Sequence, residues 1–270
     1  MVNISKVKDG NVVLIAGGGK CYTDIAARFC YSERKLDEIL ASDYDQQLVK
    51  NIVNSGHLAA AEFDYYIFGI EGYARVTEIQ LVRKRLASYL IKSGRKELSG
   101  ERQFDVVLPE SIMDLSVSIP IQGADIYRDK NCMIPTGLSD QYYTKVDTGL
   151  ILNILEAWYN EGVDQSIAEE DLRYMKPQAT AFRAIIGMNA HSLLDWFKIR
   201  ACMNAQTEIR DLAIKIMEIC IDADPVLFKD AGPSCKGLGY CPENSRQHPS
   251  CTRIRKSEAL KVLAEYQLNK

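Results

Sequence analysis

Residues 181–202 read AFRAIIGMNAHSLLDWFKIRAC, and this stretch sets the fold class. Over Ala181–Met188 the side chains Phe182, Ala184, Ile186 and Met188 fall on every second position, the period of a strand with one buried face. From Ala190 to Cys202 the spacing becomes helical. Asn189 stands at the junction, where Asn is a favoured N-cap, and a strand-to-helix junction presents backbone N–H groups that suit an anion. On that helix His191 and Asp195 are four apart and share a face. Arg200 lies five further on and is rotated partly away. A cap, an intrahelical pair and a surface arginine is the plainer reading of the same residues.

The neighbouring segments extend this strand–helix alternation. Phe63–Arg75 (FDYYIFGIEGYAR) is rich in aromatic and β-branched residues and predicts a strand. Val76–Leu86 predicts a helix, with Ile79, Val82 and Leu86 on one side. Ala205–Asp222 predicts a strongly amphipathic helix carrying Ile209, Leu212, Ile216 and Ile219. Lys6–Ala16 reads as a hairpin around Asp9-Gly10. Residues 22–42 read as helical, with Ile25, Ala26 and Phe29 on one face. Gln46–Asn54 is a shorter helix stopped by Ser55-Gly56. Gln103–Leu108 is a short strand before Pro109. Residues 110–137 carry loop signals at Pro120, Gly123 and Pro135. Asp140–Asn160 predicts a helix, and Ser166–Met175 a short one before Pro177. No internal repeat is visible. The whole reads as an α+β fold, with one domain over residues 1–230 and a Cys-rich tail over 231–270, expected to be irregular.

The chain has 270 residues, 47% hydrophobic and 26% charged, with a net charge of -3. That composition excludes a chain disordered throughout. Without a basic excess, a duplex nucleic-acid binder is not indicated, so any anion site is local. The opening residues lack the pattern of a signal peptide, because Val12–Ala16 is short and runs into Gly17-Gly18-Gly19. No stretch approaches the roughly 20 apolar residues of a membrane helix. A cytoplasmic protein with largely reduced thiols is expected.

The chemistry concentrates in Gln80–Arg95, QLVRKRLASYLIKSGR. Arg83, Lys84, Arg85, Lys92 and Arg95 are cations with no acidic residue among them, and such a run calls for an anion. Ser93-Gly94-Arg95 supplies a hydroxyl, a backbone open to close approach and a guanidinium fork, which together suit a phosphate. A solvated basic helix end is the alternative.

These residues resemble the flavin-dependent thymidylate synthases. The family signature is Arg-His-Arg, two residues, Ser, one residue, Asn-Glu, one residue, Ser, one residue, Arg. On this chain it falls on Arg83-Lys84-Arg85, Ser88, Leu90-Ile91, Ser93 and Arg95, matching five of eight positions. Upstream, Gly56-His57 and Glu62 are similar to the family's Gly-His and following Glu. Downstream, Asn189-Ala190-His191-Ser192-Leu193, Arg200 and Ala205-Gln206-Thr207-Glu208-Ile209-Arg210 resemble its second block without a gap. The likeness spans roughly residues 20–230. It departs at Lys84 for His, at Leu90-Ile91 for Asn-Glu, at Asp195, where Asn or His is common, and at Lys96, where Tyr is usual.

The resemblance implies a central β-sheet flanked by helices, and a homotetramer whose subunits share each active site. It implies FAD as cofactor, NADPH as reductant, methylenetetrahydrofolate as carbon donor, and dUMP methylated at C5 to dTMP. Neither a nucleic-acid polymer nor a membrane is an implied partner. Gln80, Arg83, Ser93, Gly94, Arg95 and Arg173 would hold dUMP. Arg200 would sit at the uracil edge as the catalytic residue, where a cation stabilises charge developing on N3 and O4. His57, Ala59, Arg83, Lys84, Arg85, Asn189, His191 and Asp195 would line the FAD site. Ser93 lacks a visible activating base, so it is assigned to binding rather than to nucleophilic attack. Two alternatives stay open: one-carbon transfer to another uracil nucleotide, and a non-catalytic nucleotide-binding paralogue.

Cys235, Cys241 and Cys251 lie within seventeen residues, with His248 before the last. Three thiols and an imidazole could bind zinc, but the spacing is not a finger pattern, and no metal is assigned. Cys30, Cys202 and Cys220 read as core fillers, and Trp158 and Trp196 as packing anchors. Cys132 carries no reading. Gly19-Lys20-Cys21 does not complete a phosphate loop.

Overall fold

The computed structural model describes residues 2–18, 21–93, 103–121, 142–243 and 247–268. Gly94, Arg95, Lys96, Gly123, Cys132 and Pro135 lie outside them. The described strands are β1 (Asn3–Lys6), β2 (Asn11–Ala16), β3 (Tyr65–Ala74), β4 (Ser88–Ile91), β5 (Asp105–Leu108), β6 (Ser116–Ile121), β7 (Tyr142–Asp147) and β8 (Ala181–Asn189). The architecture is α+β, and the chain divides into two units, residues 1–6 with 93–180, and residues 7–92 with 181–270.

The second unit is built on an antiparallel sheet of order β2-β3-β8-β4. The alternation over residues 181–188 becomes β8 as expected. Phe182, Ala184, Ile186 and Met188 point into the core, while Ile185 stays partly exposed. Helices Ala190–Arg200 and Thr207–Ala223 lie in the same core through Leu193, Trp196, Phe197, Ile209, Leu212 and Ile216. Each large apolar side chain buried in this way contributes about 1.5–3 kcal/mol. Phe228, on helix Pro225–Phe228, closes the core against Tyr66 at 5.3 Å and against Phe197 at 6.3 Å, both edge-on.

Two buried carboxylates tie helix ends to this sheet. Asp64 accepts from the N–H groups of Tyr22 and Thr23, at 2.8 and 2.9 Å, and from the Thr23 hydroxyl at 2.6 Å. It thereby satisfies the start of helix Tyr22–Tyr31 from outside the helix. Glu208 accepts from the Ala74 N–H at 2.7 Å and from the Thr77 hydroxyl at 2.6 Å. That contact joins the end of β3 to helix Thr207–Ala223.

The first unit pairs β1 with β5 in parallel, Asn3 opposite Asp105, and β6 with β7 antiparallel. Phe104, Val106, Leu108, Leu152, Tyr159 and Leu172 form its core. Helix Thr148–Asp164 crosses it, started by the Asp147 side chain, which accepts from the Leu150 N–H at 2.8 Å.

Several expectations are corrected. No hairpin forms at Asp9-Gly10. A 3-10 turn occupies Val7–Asp9, β1 pairs with β5 and β2 with β3. The helix expected over Asp140–Asn160 starts at Thr148, after strand β7. Pro120 lies in strand β6 rather than in a loop. Helix Tyr22–Tyr31 buries Thr23, Asp24 and Ala27, and Phe29 is exposed, because Asp24 pairs with Arg28 and Thr23 with Asp64. The helix expected over Val76–Leu86 spans Arg75–Leu81 and buries Thr77 and Leu81, leaving Ile79, Val82 and Leu86 exposed. The tail is not irregular throughout, since Ser234–Leu238 and Lys256–Leu268 are helical. Trp158 is half exposed, whereas Trp196 is buried. Cys30 is exposed, and of the three cysteines read as core fillers only Cys220 is fully buried.

Candidate functional site

The junction between β8 and its helix is fixed from both sides. Asn189 caps the helix, its side-chain oxygen accepting from the Ser192 N–H at 2.8 Å. The Ala190 N–H donates to the Asp64 carbonyl at 2.8 Å. These bonds set the direction in which His191, Asp195 and Arg200 leave the sheet. His191 stands between two carboxylates, with Nδ1 3.1 Å from Glu62 Oε1 and Nε2 3.5 Å from Asp195 Oδ2. Glu62 closes the 3-10 turn Leu58–Glu62, which carries Ala59 and is preceded by His57. Glu62, His191 and Asp195 thus form one ion-pair cluster, with Asn189 capping the helix that carries the last two and with His57 and Ala59 on the segment that leads to Glu62. Asp195 also accepts from Lys198 at 3.0 Å.

The second group forms at the far end of the same helix. Arg200 donates from Nη1 to the Gln80 side-chain oxygen and from Nη2 to the Gln80 carbonyl, both at 3.3 Å. Burial, and then the like charge of Arg83, holds the Arg200 pKa below its ordinary value. A guanidinium remains charged nonetheless. Arg83, Lys84, Asp195, Trp196 and Arg200 line one cavity of about 400 Å³. Trp196 is buried, and its indole N–H has no acceptor among the described residues. Arg83, Lys84, Lys198 and Arg200 line it beside one carboxylate, Asp195, so the cavity carries an excess of positive charge that suits an anion.

Arg83, Lys84 and Arg85 are not on a helix end, as the charge run suggested, but in the turn between helix Arg75–Leu81 and β4. Sequence reasoning missed what holds this turn. The Tyr89 hydroxyl lies 2.9 Å from the carbonyl oxygens of both Leu81 and Lys84. The available signal was the tyrosine on a short strand directly after the basic run, at the spacing that folds back on it. Arg83 and Lys84 line the cavity and Arg85 does not.

The remaining candidates lie on other elements. Leu90 is 74% exposed and stands with Val13, Ile15 and Ile185 on the open face of the sheet, while Ile91 packs toward the core. Neither Leu90 nor Ile91 lines the Arg83–Arg200 cavity, whereas Lys84, the third substituted signature residue, does. Ser93 is exposed and begins the second stretch of the first unit. Arg173 is exposed in the first unit, on the 3-10 turn Arg173–Met175.

With this geometry in place, the chain was compared with known proteins. The profile of the family described as thymidylate synthase complementing protein matches residues 20–226. The chain is 33% identical over 223 residues to the flavin-dependent thymidylate synthase of Geobacter sulfurreducens, covering 81% of this chain and 84% of that protein. It is 35% identical over 198 residues to that of Nitratidesulfovibrio vulgaris, covering 73% of each. It is 30% identical over 238 residues to that of Pyrococcus furiosus, covering 86% of each. Among solved structures it shares the fold of the UMP/dUMP methylase PolB from Streptomyces cacaoi bound with 5-Br dUMP. The TM-score is 0.62 at 17% identity, over 84% of this chain and 96% of that one.

Proposed function

The chain belongs to the thymidylate synthase complementing protein family, and from that premise we propose that it methylates dUMP at C5 to give dTMP. FAD is the cofactor, NADPH its reductant and methylenetetrahydrofolate the carbon donor. The observation that carries the reading is Arg200, held by Gln80 and lining one cavity with Arg83.

Gln80 spends two Arg200 donors on itself and so fixes the plane of the guanidinium. The donors that remain are aimed rather than searching. Placed at the uracil edge, they stabilise negative charge developing on N3 and O4 and so raise the nucleophilicity of C5. Arg83 neutralises the nucleotide phosphate, and on the family resemblance alone Ser93, Gly94, Arg95 and Arg173 are assigned to dUMP as well. The like charge of Arg83 adds to the cost that burial places on the Arg200 guanidinium, and a bound dianion offsets it.

The residues present fit a flavin dinucleotide. Arg83, Lys84 and Arg85 offer cations to a pyrophosphate, and the His191 cluster offers polar edge contacts. When bound, the flavin supplies the redox part of the carbon transfer. His57, Ala59, Asn189, His191 and Asp195 orient it. The replacement of Asn-Glu by Leu90-Ile91 leaves the cation cavity unaltered, because both side chains lie elsewhere on β4.

Self-association as a homotetramer is part of the proposal. Val13, Ile15, Leu86, Leu90 and Ile185 are exposed apolar residues in the second unit, four of them on one sheet face, and contiguous apolar surface of this kind marks an interface. Among the described residues no helix is long and apolar enough to cross a membrane, and the proposed location is the cytoplasm.

The test is to incubate the purified chain with dUMP, FAD, NADPH and methylenetetrahydrofolate and to measure dTMP by mass spectrometry. Formation of dTMP supports the reading. Methylation of UMP but not of dUMP replaces the substrate, and binding of dUMP without flavin or turnover replaces the enzyme by a binding paralogue.

A further inference from the structure

Four cysteines line one cavity of about 460 Å³ in the second unit, and nothing in the methylation chemistry uses them. Cys202 lies two residues beyond Arg200, in the turn that ends the Ala190–Arg200 helix, where its carbonyl accepts from the Ala205 N–H at 2.9 Å. Cys235 lies on helix Ser234–Leu238, Cys241 just after it, and Cys251 ten residues further along the tail. From these positions we propose that Cys202, Cys235, Cys241 and Cys251 are the four ligands of a structural zinc ion.

The backbone around each thiol is already organised. The Gly239 N–H donates to the Cys235 carbonyl at 3.0 Å, and Gly239 itself has φ of 74°, which lets the chain reverse between Cys235 and Cys241. Cys241 bridges to the 254–256 segment, donating to the Ile254 carbonyl at 2.8 Å and accepting from the Lys256 N–H at 3.2 Å. The Gln247 amide donates to the carbonyls of Cys251 and Arg253, at 3.1 and 2.7 Å. All this order is held with almost no core. Beyond Ala231, the buried hydrophobic residue among those described is Cys241. A short segment that folds without apolar burial is usually held by disulfides or a metal. Among the described residues the cysteines are free thiols, which leaves the metal.

Zinc binding breaks four S–H bonds, releases four protons to solvent and forms four Zn–S bonds. The resulting centre is doubly negative, and Lys198, Arg200 and Arg253 on the same cavity wall offset it. Among the described residues no three ligand side chains already stand at metal distance from a common point, so the thiols turn inward as the ion binds. His248 is not the fourth ligand. It does not line this cavity, and its Nδ1 accepts from the Ser250 N–H at 3.2 Å.

The test is metal analysis of the full-length chain, followed by zinc K-edge absorption. About one zinc per chain is expected, with four sulfurs at about 2.3 Å. Less than a tenth of a zinc per chain, as purified and after reconstitution, overturns the proposal, as does iron with acid-labile sulfide. A shell of three sulfurs and one nitrogen also overturns it, because His248 would then replace Cys202. Cys202→Ser should retain roughly a tenth of the zinc or less under chelator competition, and equal retention contradicts the assignment. The absorption measurement on the unsubstituted chain stands even where the variant fails to fold. None of these readouts depends on dTMP formation, so this inference and the methylation reading fail separately.

Discussion

Arg200 and Gln80, 120 positions apart, are joined twice, once through the Gln80 side chain and once through its main chain, at 3.3 Å each. The main-chain contact matters most, because it survives any change in the glutamine side chain. It locks the end of one helix to the end of another, and it places Arg200 beside Arg83 before any ligand arrives.

Arg200→Ala should therefore remove turnover without removing the fold. A loss of at least about 100-fold in kcat/KM is expected, the scale of a lost preorganised donor. The melting temperature should move little, since Arg200 is only half-buried. Steady-state kinetics beside a thermal melt check this. Activity within a few fold of the unsubstituted chain contradicts the role.

Tyr89→Phe tests the turn that carries Arg83 and Lys84. The hydroxyl shared between the Leu81 and Lys84 carbonyls is lost, and the rest of the side chain keeps its packing. A net loss of about 1 kcal/mol in ground-state nucleotide binding corresponds to roughly a fivefold rise in KM for dUMP, with kcat changed less. A fall in kcat at constant KM would assign Tyr89 to the chemistry instead.

Asp64→Ala removes the acceptor for two main-chain N–H groups, one hydroxyl and the Cys21 thiol. Orphaned buried donors cost about 1–3 kcal/mol each, so a total of about 3 kcal/mol or more is expected in urea unfolding. Burial, and then the Asp64 charge, pushes the Cys21 thiol up to about 12. In the native chain Cys21 should therefore resist alkylation at neutral pH, and in the variant, where burial alone opposes the thiolate, it should label faster. Equal labelling of both contradicts the contact.

Glu208→Gln isolates one source of pH dependence. Burial holds the Glu208 carboxyl above its ordinary value of 4.5, and the bonds from Thr77 and Ala74 oppose that rise. The native state therefore holds a proton that the unfolded state releases. The contribution of Glu208 is fully present below pH 4.5 and declines as pH rises through its native value. The stability of the unsubstituted chain minus that of Glu208→Gln should fall as pH is raised from 4 towards 7, read from urea melts. A constant difference contradicts the linkage.

The parts of the fold legible in the sequence are those fixed by periodicity over a buried face. Strands β3 and β8 and the helices Ala190–Arg200 and Thr207–Ala223 each carry a long apolar register, and all lie where that register predicts. Asp9-Gly10 misled because its turn chemistry is local, whereas β1 and β2 take separate long-range partners. Gly10 is better explained by packing, since a Cβ there would meet the Tyr73 ring at 2.5 Å. The exposed apolar faces at Ile79, Val82 and Leu86 misled for the opposite reason: periodicity marks an apolar face but not what covers it. At the site, the Gln80, Arg83 and Arg200 set could be read from the family resemblance, and the structure places these residues together. Cys202 could not be read as more than a filler, because its grouping with Cys235, Cys241 and Cys251 is a matter of tertiary position.

The central claim is that cations from the turn after Leu81 and from the end of the Ala190–Arg200 helix close on a single uridylate. A crystal structure of the full-length protein grown with dUMP tests it most directly. The account predicts the uracil edge within hydrogen-bond distance of Arg200 and the phosphate neutralised by Arg83. A nucleotide seated elsewhere, with Arg200 still bound to Gln80 and touching nothing else, would contradict it.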